Sequence, residues 1–462
     1  MPTLPTVGFP TVSLRETNFP PTANPMNVFL PTIGTRGDVQ PFIALGEGLR
    51  RAGHAVTVCT STRYESLVRD GGLAYAPLSD DLVALVETPK GREAIAAAGG
   101  AIGGARALWD LMQESLQIQR DLFRDGWTAA KTADPDLIVY HPKMAIALSY
   151  AERLGIPAVM APLFPVFLPT AAYPNPGFPR LDLGASLTAV YNRATHRLVR
   201  TVVSAVCRWM FASWRAAHGL PPQPWGADIL HRTTGERVPL LHPWSRHVAP
   251  DPPDWPREDV WTTGYWFLDR ADDWTPDPDL EAFLDAGPPP VYVGFGSMAG
   301  RNPEATARIV VEALHRAGCR GILARGWGGL AASDLPETVH LLDHAPHDGL
   351  FPRVAAVVHH GGAGTTAAGL RAGRPTVICP FFGDQPFWGR RVREAGAGPA
   401  PIPQNDLTPH RLAAALRETR TEAVRRSAAG LGKKIRGEDG VATAVARLER
   451  LVTETTLQPL RR

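Results

Sequence analysis

The sequence predicts an α/β protein with two domains in series, each built on a parallel β-sheet. Short apolar strands alternate with amphipathic helices in both halves of the chain, and each half opens with a strand followed by a glycine-rich turn. The alternation fails between Pro243 and Pro290, where prolines and tryptophans collect: Trp244, Trp255, Trp261, Trp266 and Trp274. Two such domains predict a cleft between the carboxyl ends of two sheets, where a ligand would bind.

In the first half, a strand at 27–30 leads through a turn into a helix that ends before Gly53, and a second strand follows at 54–59. In the second half, the first strand is predicted at 291–295 and the next helix at 304–316. The predicted divisions are a mobile proline-rich tail at 1–25, an N-terminal domain at 26–245, an interdomain segment at 246–288, a C-terminal domain at 289–440, and a helix at 441–462 that returns to the first domain.

Composition narrows the class of protein. The chain has 462 residues, of which 44% are hydrophobic and 20% are charged, as in ordinary globular proteins. A formal net charge of only +3 gives no electrostatic footprint for nucleic acid. The most apolar stretch, from Leu198 to Trp214, contains two arginines, so we expect a core helix and no transmembrane segment. The cysteines lie far apart, which favours free thiols in a reducing cytoplasm: Cys59, Cys207, Cys319 and Cys379.

The run from Val357 to Leu370 predicts a strand, a glycine turn and a helix. Free backbone N–H groups at a helix N-terminus bind phosphate. A dinucleotide site would also fit the glycines, but the next strand, 375–380, ends without an acidic residue for a ribose. A P-loop is disfavoured because no Gly-Lys-Ser/Thr follows, and a turn that only permits close packing remains an alternative.

Asp384 and Gln385 follow that next strand directly. A carboxylate accepts hydrogen bonds and a carboxamide both accepts and donates them, so such a pair can hold vicinal hydroxyls; the alternative is a polar turn without a ligand. Phosphate donors followed by a polyol clamp predict a nucleotide-sugar site.

Three blocks of the sequence resemble the inverting UDP-dependent glycosyltransferases of the two-domain GT-B fold, especially the sterol glucosyltransferases and their actinobacterial antibiotic relatives. The blocks are GTRGDVQPF at 34–42, VGFGSM at 293–298, and the run from His344 to Gln385. The resemblance implies two Rossmann-like βαβ domains facing across a cleft. It also implies transfer of a hexose, expected to be glucose, from a UDP-sugar to a hydroxyl of a hydrophobic acceptor such as a sterol or a polyketide aglycone.

Carried over by position, the resemblance implies that Asp384 and Gln385 hold the hydroxyls of the transferred sugar. His344 stands where many plant relatives have a tryptophan that stacks on uracil, and Ala368 stands where they have a glutamate that contacts the ribose. The implied ligands of the donor diphosphate are Ser297, His360, Gly361, Gly362, Gly364, Thr365 and Thr366. For His360 the alternative is a core imidazole.

Asp38 is the expected catalytic base. Many plant relatives have a histidine in the first turn of the N-terminal domain, whereas this chain has Asp38, as the antibiotic and sterol members do. A carboxylate at the mouth of the cleft can take the proton of the acceptor hydroxyl as its oxygen attacks the anomeric carbon. Asp38 also suits an N-cap of the following helix, and the two roles are compatible.

No metal site or resident cofactor is expected. The two Asp-Pro-Asp stretches, at 134–136 and 277–279, look structural. A nucleotide-sugar epimerase and a catalytically silent nucleotide-sugar binding protein are the competing functions, and intact Asp38, His360, Asp384 and Gln385 argue against the second.

The acceptor site is predicted in the proline-rich stretch 162–179, which must be a loop. Its aromatic residues either pack over a helix or line an apolar pocket: Phe164, Phe167, Tyr173 and Phe178. An amphipathic stretch from Ala107 to Phe123, with Met112, would form the opposite wall. A peripheral membrane contact would follow if the acceptor is a sterol.

Overall fold

The computed structural model describes residues 24–88, 91, 113–272, 274–295, 303–324 and 335–457. Across these residues the chain forms two parallel β-sheets, one of seven strands and one of five, each covered by helices. The predicted architecture of two α/β domains is therefore confirmed. The tail at 1–23, Met112 and Ser297 lie outside the described residues.

The first sheet has the strand order β3-β2-β1-β4-β5-β6-β7, and every pairing in it is parallel. The order reverses between β1 and β4, so the crevice in which open α/β sheets bind ligands lies where these two strands end. The strands are β1 Asn27–Pro31, β2 Ala55–Ser61, β3 Ala74–Leu78, β4 Leu137–Tyr140, β5 Ala158–Met160, β6 Leu240–His242 and β7 Val260–Thr262.

Six helices accompany this sheet in the described part of the chain: α1 Arg36–Arg51, α2 Glu65–Asp70, α3 Asp81–Glu87, α4 Leu116–Ala133, α5 Ala147–Leu154 and α6 Ala185–Ala217. Within the amphipathic stretch expected from 107 to 123, residues 116–123 form the start of α4, which continues to Ala133. Residues 107–112 of that stretch lie outside the described residues. Helix α4 ends at Asp134, a left-handed residue with φ 43° that stands before a proline.

The stretch 198–214 is not the core helix that the sequence suggested. It belongs to α6, which is 33 residues long and buries only one face. Phe211 and Trp214 are buried, while Leu198, Val202 and Trp209 are about half exposed. Apolar composition alone could not reveal this difference, because it does not say which face of a helix has a neighbour.

The second sheet has the order β10-β9-β8-β11-β12, again with parallel pairs throughout. The order reverses between β8 and β11, where His359 pairs with Gly294. Its strands are β8 Val291–Gly294, β9 Gly321–Ala324, β10 Val339–Leu342, β11 Ala356–His359 and β12 Thr376–Ile378. The helices from here to the C-terminus are α7 Pro278–Asp285, α8 Pro303–Ala317, α9 His347–Leu350, α10 Ala363–Arg371, α11 Gln385–Glu394, α12 Pro409–Thr419, α13 Glu422–Arg436 and α14 Gly440–Leu457.

The segment 246–288, expected to connect the domains, instead contributes a strand to the first sheet. Strand β7 pairs with β6, with His242 opposite Thr262. Trp244 and Trp255, which the sequence placed near the boundary, lie in the hydrophobic core. A three-residue strand among prolines is too short to show a periodic pattern, so this part of the domain resembled a linker.

Helix α14 packs on the first domain. The side chain of Val441 lies against Gly48 of α1, and Val445 and Leu448 are buried in the same cluster as Phe42. Trp266 and Leu268 belong to the same cluster, so the chain leaves the first domain after Leu268. It returns at Gly440, which touches Gly264. A Cβ added to Gly440 would lie 2.4 Å from the carbonyl oxygen of Tyr265, so only glycine fits there.

Three further features bear on function. The four cysteines are free. No helix in the described segments is long and apolar enough to cross a bilayer. Aromatic contacts join the two domains: the ring of Tyr173 lies 5.3 Å from that of Phe387, and Trp244 lies 6.4 Å from Trp388. These contacts bring the ends of the two sheets to a common cleft.

Candidate active site

Asp38 lies in the first turn of α1, directly after β1. Its Oδ2 accepts hydrogen bonds from the backbone N–H of Thr35 at 2.8 Å and from the Thr35 hydroxyl at 3.0 Å. This is the reciprocal contact of a capping box. The N-cap residue of α1 is Thr35, so Asp38 is not the N-cap that the sequence suggested; it is the N3 residue, whose carboxylate accepts the N–H of the N-cap.

Two residues that follow β4 contact the same carboxylate. Nζ of Lys143 lies 2.8 Å from Oδ2 of Asp38, and Nε2 of His141 lies 3.4 Å from Oδ1. Neither residue was predicted to belong to the site. A signal was present, because His141 follows a predicted strand and the carboxyl ends of neighbouring parallel strands meet at one edge of a sheet.

The pKa of Asp38 lies below its usual range. Burial alone would raise this pKa, but the charge of Lys143, the electrostatic influence of His141 and the hydrogen bonds from Lys143 and Thr35 together outweigh it. Asp38 is consequently ionised at neutral pH.

His141 is neutral at the same pH, because burial lowers its pKa to about 4 despite the attraction of Asp38. Its Nδ1 accepts the backbone N–H of Lys143 at 3.2 Å. The ring proton then belongs on Nε2, which donates towards Oδ1 of Asp38.

Gly34 makes room for this cluster. Its φ of 136° lies in the region that favours glycine. An added Cβ would approach Oδ2 of Asp38 to 2.3 Å and Nζ of Lys143 to 2.8 Å. The glycine before the first helix is thus needed by the carboxylate and its ammonium partner.

The glycine turn after β11 has the strand-turn-helix form that the sequence predicted. Gly361 has a φ of 100°, and an added Cβ there would lie 2.7 Å from Cγ2 of Ile378. Nδ1 of buried His359 accepts the N–H of Gly361 at 3.0 Å and so fixes the turn. Around Gly364, in the first turn of α10, a Cβ would meet no atom of the described residues within 4 Å. Among the residues that the structure describes, nothing therefore covers this position at the helix N-terminus.

The other residues predicted to bind the donor differ in burial and in whether their polar atoms already have a hydrogen-bond partner. The hydroxyl of buried Thr366 donates to the carbonyl of Gly362 at 2.9 Å, whereas Thr365 is half-buried. His360 is also half-buried, and burial lowers its pKa to about 4. Within the described residues its Nδ1 is buried without a hydrogen-bond partner. That unpaired nitrogen distinguishes His360 from a satisfied core imidazole.

A contact with the first domain reaches this side of the cleft. A guanidinium N–H of Arg36, at the start of α1, donates to Nε2 of His344 at 2.8 Å. Nearby, burial and then Arg36, His344 and His360 lower the pKa of His347 to about 4. Arg36 was not among the predicted site residues. It places a positive charge from the first domain beside the histidines of the second.

Asp384 and Gln385 stand at the start of α11. Oδ2 of Asp384 accepts the indole N–H of Trp388 at 2.8 Å. Burial raises the pKa of Asp384 to about 6, opposed by Trp388 and reinforced by the charge of Asp38. The side-chain carbonyl oxygen of Gln385, Oε1, accepts hydrogen bonds from the backbone N–H groups of Phe381 at 2.7 Å and Phe382 at 3.3 Å. Its amide N–H₂ is therefore the end of the side chain that remains for a ligand.

The four predicted acceptor aromatics divide into two pairs. Phe167 and Tyr173 lie in the hydrophobic core, with 6% and 3% of their surfaces exposed, so their burial corresponds to the packing alternative. Phe164 and Phe178 are half-buried. The loop is fixed to α6, since Asn192 donates to the carbonyl of Ala171 at 2.7 Å.

The Asp-Pro-Asp stretches have structural partners. Asp277 caps α7 by accepting the N–H of Leu280 at 2.8 Å, and Asp136 accepts the N–H of Asn27 at 2.7 Å. In the described parts of the chain, no three histidine, cysteine or acidic side chains converge as they would around a metal ion.

Two parallel sheets that meet across a cleft, with a carboxylate at the switch point of one and a glycine turn at that of the other, define a GT-B glycosyltransferase. Residues 28–173 match the glycosyltransferase family 28 N-terminal domain. Residues 328–449 match the C-terminal domain of erythromycin biosynthesis protein CIII-like proteins. The chain therefore belongs to the GT-B glycosyltransferases, with an N-terminal and a C-terminal domain of these two types.

Sterol 3-beta-glucosyltransferases are among its relatives. One from Arabidopsis thaliana is 37% identical over 439 residues, which cover 91% of this chain and 65% of that protein. One from Emericella nidulans is 36% identical over 463 residues, covering 95% of this chain and 31% of that protein. The chain thus spans about two thirds of the plant relative and about a third of the fungal one.

Solved structures share the fold. The glycosyltransferase of kitacinnamycin has a TM-score of 0.66 at 21% identity and covers 92% of this chain and 99% of its own. SnogD from Streptomyces nogalater has a TM-score of 0.62 at 20% identity, covering 93% and 100%. VinC, solved with dTDP, has a TM-score of 0.58 at 20% identity, covering 92% and 99%. These likenesses establish the GT-B fold.

Proposed function

We propose that the protein is an inverting glycosyltransferase that moves glucose from UDP-glucose to a hydroxyl of a hydrophobic acceptor, a sterol or a polyketide aglycone. The observation that carries the proposal is the Asp38 carboxylate, ionised and held by His141 and Lys143 at the end of β1, across from the glycine turn. Similarity to sterol 3-beta-glucosyltransferases over nine tenths of the chain supports the choice of donor and acceptor.

Asp38 suits the role of base better than its neighbour does. His141 uses Nδ1 to accept a backbone N–H and carries its proton on Nε2, so neither nitrogen is free to take a proton. Oδ2 of Asp38 is occupied by Thr35 and Lys143, whereas Oδ1 faces only His141 among the described residues. Oδ1 would therefore accept the acceptor's proton, while His141 orients the carboxylate.

On the donor side, the N-terminus of α10 and the neutral imidazole of His360 would hold the diphosphate. Backbone N–H groups at the helix end offset the negative charge that develops on the leaving UDP. The Asp384 carboxylate and the Gln385 amide would hold the sugar hydroxyls. His344, which Arg36 contacts, would lie beside the uracil of the donor. No metal or resident cofactor is proposed.

On the acceptor side, the half-buried Phe164 and Phe178 are the aromatics proposed to meet an apolar alcohol. Phe167 and Tyr173 would support them from the core. An epimerase is not favoured, because the relatives over nearly the whole chain are named for glucosyl transfer.

The test is UDP release from UDP-glucose, measured with cholesterol, with a macrolide and with no acceptor, together with chromatography of the sugar products. We expect UDP release to depend on an acceptor and to be slowed by Asp38→Asn by roughly 10²–10⁴-fold. Conversion of UDP-glucose alone to an epimer would instead identify an isomerase. Binding of UDP-glucose without turnover on either type of acceptor would contradict the transfer reaction.

A further inference from the structure

The large apolar side chains that the structure leaves exposed are concentrated in one region. Among the described residues they all fall between 181 and 225: Leu181, Leu183, Leu187, Val190, Leu198, Val202, Trp209 and Trp225. Leu187 is 64% exposed and Trp225 is 91% exposed. Single exposed apolar residues are ordinary, but a contiguous group on one element marks an interaction surface.

Five of these side chains, Leu187, Val190, Leu198, Val202 and Trp209, form a ridge along α6. Leu187, Leu198 and Trp209 recur every eleven residues, which is three helical turns, so they lie on one face. Val190, Val202 and the exposed alanines Ala194 and Ala205 fill the same face. At about 1.5 Å per residue the ridge is roughly 33 Å long. The opposite face, with His196, Phe211 and Trp214, is buried against the domain.

The charge of α6 has one sign. The helix contains five arginines and no aspartate or glutamate. Three of them pair with acidic residues of the domain: Arg193 with Asp254, Arg200 with Asp228 and Arg215 with Glu152. The other two make no ion pair within the described residues. Arg197 is exposed, and the guanidinium of Arg208 lies 4.4 Å from the ring centre of Trp225. The ridge is therefore flanked by uncompensated positive charge.

We propose that this ridge docks α6, lying in the plane of the interface, on a bilayer that contains anionic phospholipid. Leucines and valines suit the acyl boundary, the tryptophans suit the headgroup level, and Arg197 and Arg208 complement acidic lipid. A second copy of the chain fits worse, because two such ridges would oppose arginines to arginines with no carboxylate on α6 to compensate them.

Docking would also bring the acceptor loop to the bilayer. That loop is fixed to α6 by hydrogen bonds from Asn192 to the carbonyl of Ala171 at 2.7 Å and from the Tyr191 hydroxyl to that of Pro179 at 2.9 Å. Phe164 and Phe178 on this loop would then collect an apolar acceptor where it is dissolved. This last step rests on the proposed function, whereas the docking itself does not.

The experiment is sedimentation of the full chain with vesicles that contain neither sterol nor UDP-sugar, so that it is independent of the transfer reaction. Vesicles of phosphatidylcholine alone are compared with vesicles that contain about 30% phosphatidylglycerol as acidic lipid. We expect binding to the acidic vesicles at least about tenfold tighter than to the neutral ones, weakened by high salt. Sedimentation equally weak with both would overturn the proposal.

Variants identify the surface. The double substitution Leu198→Gln, Val202→Gln should reduce the affinity for acidic vesicles about tenfold or more, since it removes two exposed apolar contacts. Arg197→Glu should reduce it, whereas Arg426→Glu, an exposed arginine on α13, is the control that should not. UDP affinity should be unchanged in all three, and unaltered vesicle binding by the double variant would refute the assignment. If sedimentation equilibrium instead shows a dimer that the double variant dissociates, the ridge is a contact between copies.

Discussion

Nε2 of His141 lies 3.4 Å from Oδ1 of Asp38; Asp38 lies in the helix that follows β1, and His141 directly follows the neighbouring parallel strand β4. The carboxylate and the imidazole thus reach one place from two neighbouring strands of the first sheet. The pKa values assign the negative charge to Asp38 and leave His141 neutral.

Asp38→Asn should lower kcat by roughly 10²–10⁴-fold, because the amide cannot accept the proton of the acceptor hydroxyl. The amide oxygen can still accept the N–H of Thr35, so UDP affinity and melting temperature should change little. Stopped-flow or steady-state rates with calorimetry of UDP binding would measure both. Asp80→Asn, which removes a carboxylate bound to Thr62 and Arg63, is the matched control and should keep its rate. A parallel loss of rate and UDP binding would make Asp38 a capping-box residue alone.

His141→Phe and Lys143→Met should move the pH profile of Asp38. Each removes an influence that lowers the pKa of this carboxylate, so the acid limb of kcat/KM should shift to higher pH. Above the raised pKa, Asp38 is ionised and the variant is as active as its pH-independent limit allows. As the pH falls, Asp38 becomes protonated at a higher pH than in the wild type, so activity is lost at a higher pH. His141→Phe should also cost about tenfold in kcat through misorientation of the carboxylate. Lys131→Met on α4 is the control, and an unmoved acid limb in both variants would exclude the coupling.

His360→Ala should weaken UDP binding itself, since the proposed partner of its imidazole is the diphosphate. A loss of one hydrogen bond to a charged group corresponds to roughly 10–100-fold in affinity. Isothermal calorimetry with UDP would measure it. His410→Ala, at an exposed position on α12, should leave the affinity unchanged. If both variants bind UDP like the wild type, His360 is a packing residue.

Ionisation of Asp384 should affect the stability of the fold and the binding of the donor in opposite directions as the pH rises. Its folded pKa of about 6 exceeds its ordinary value of 3.8, so the stabilising effect of its proton is present at low pH and lost as pH rises through 6. Donor binding should need the carboxylate and weaken below pH 6. Asp384→Asn should raise the melting temperature at pH 8 and raise the KM for UDP-glucose roughly tenfold while sparing UDP affinity. Equal losses for UDP and UDP-glucose would contradict the sugar contact.

Phe178→Ala and Phe167→Ala separate acceptor contact from packing. Phe178 is half-buried on the acceptor loop, so its loss should raise the acceptor KM and leave the melting temperature nearly unchanged. Phe167 is buried, so its loss should destabilise the fold by about 3–5 kcal/mol. Thermal unfolding and acceptor titrations distinguish the two. An acceptor KM that Phe178→Ala leaves unchanged would remove this loop from the acceptor site.

The sequence was sufficient where strands and turns recur with a clear period. The two sheets and the glycine turn at 361–364 were predicted because alternating strands and helices leave a strong pattern. Strand β7 was missed because three residues among prolines have no period. His141 and Lys143 were missed because their importance depends on β4 lying beside β1, a neighbour relation that residue order does not contain.

The exposed face of α6 and the burial of Tyr173 were hidden for a similar reason. Both depend on which surface meets which: Tyr173 is covered by Phe387, a residue more than two hundred positions later, while α6 has no covering element on its ridge in the described chain. Apolar residues predict burial on average, but they do not identify the partner that buries them.

The contact between Gly264 and Gly440 gives the molecule an unusual kind of connectivity. Because the segments on either side of the second domain touch, that domain is an insertion within a discontinuous first domain whose last element is α14. An insertion whose ends lie close together adds little loop-closure entropy to its host. We therefore expect the first domain to fold without the second when a linker joins Leu268 to Gly440, which keeps Trp266 in the core. Removing α14 instead would take Val445 and Leu448 out of the core of the first domain.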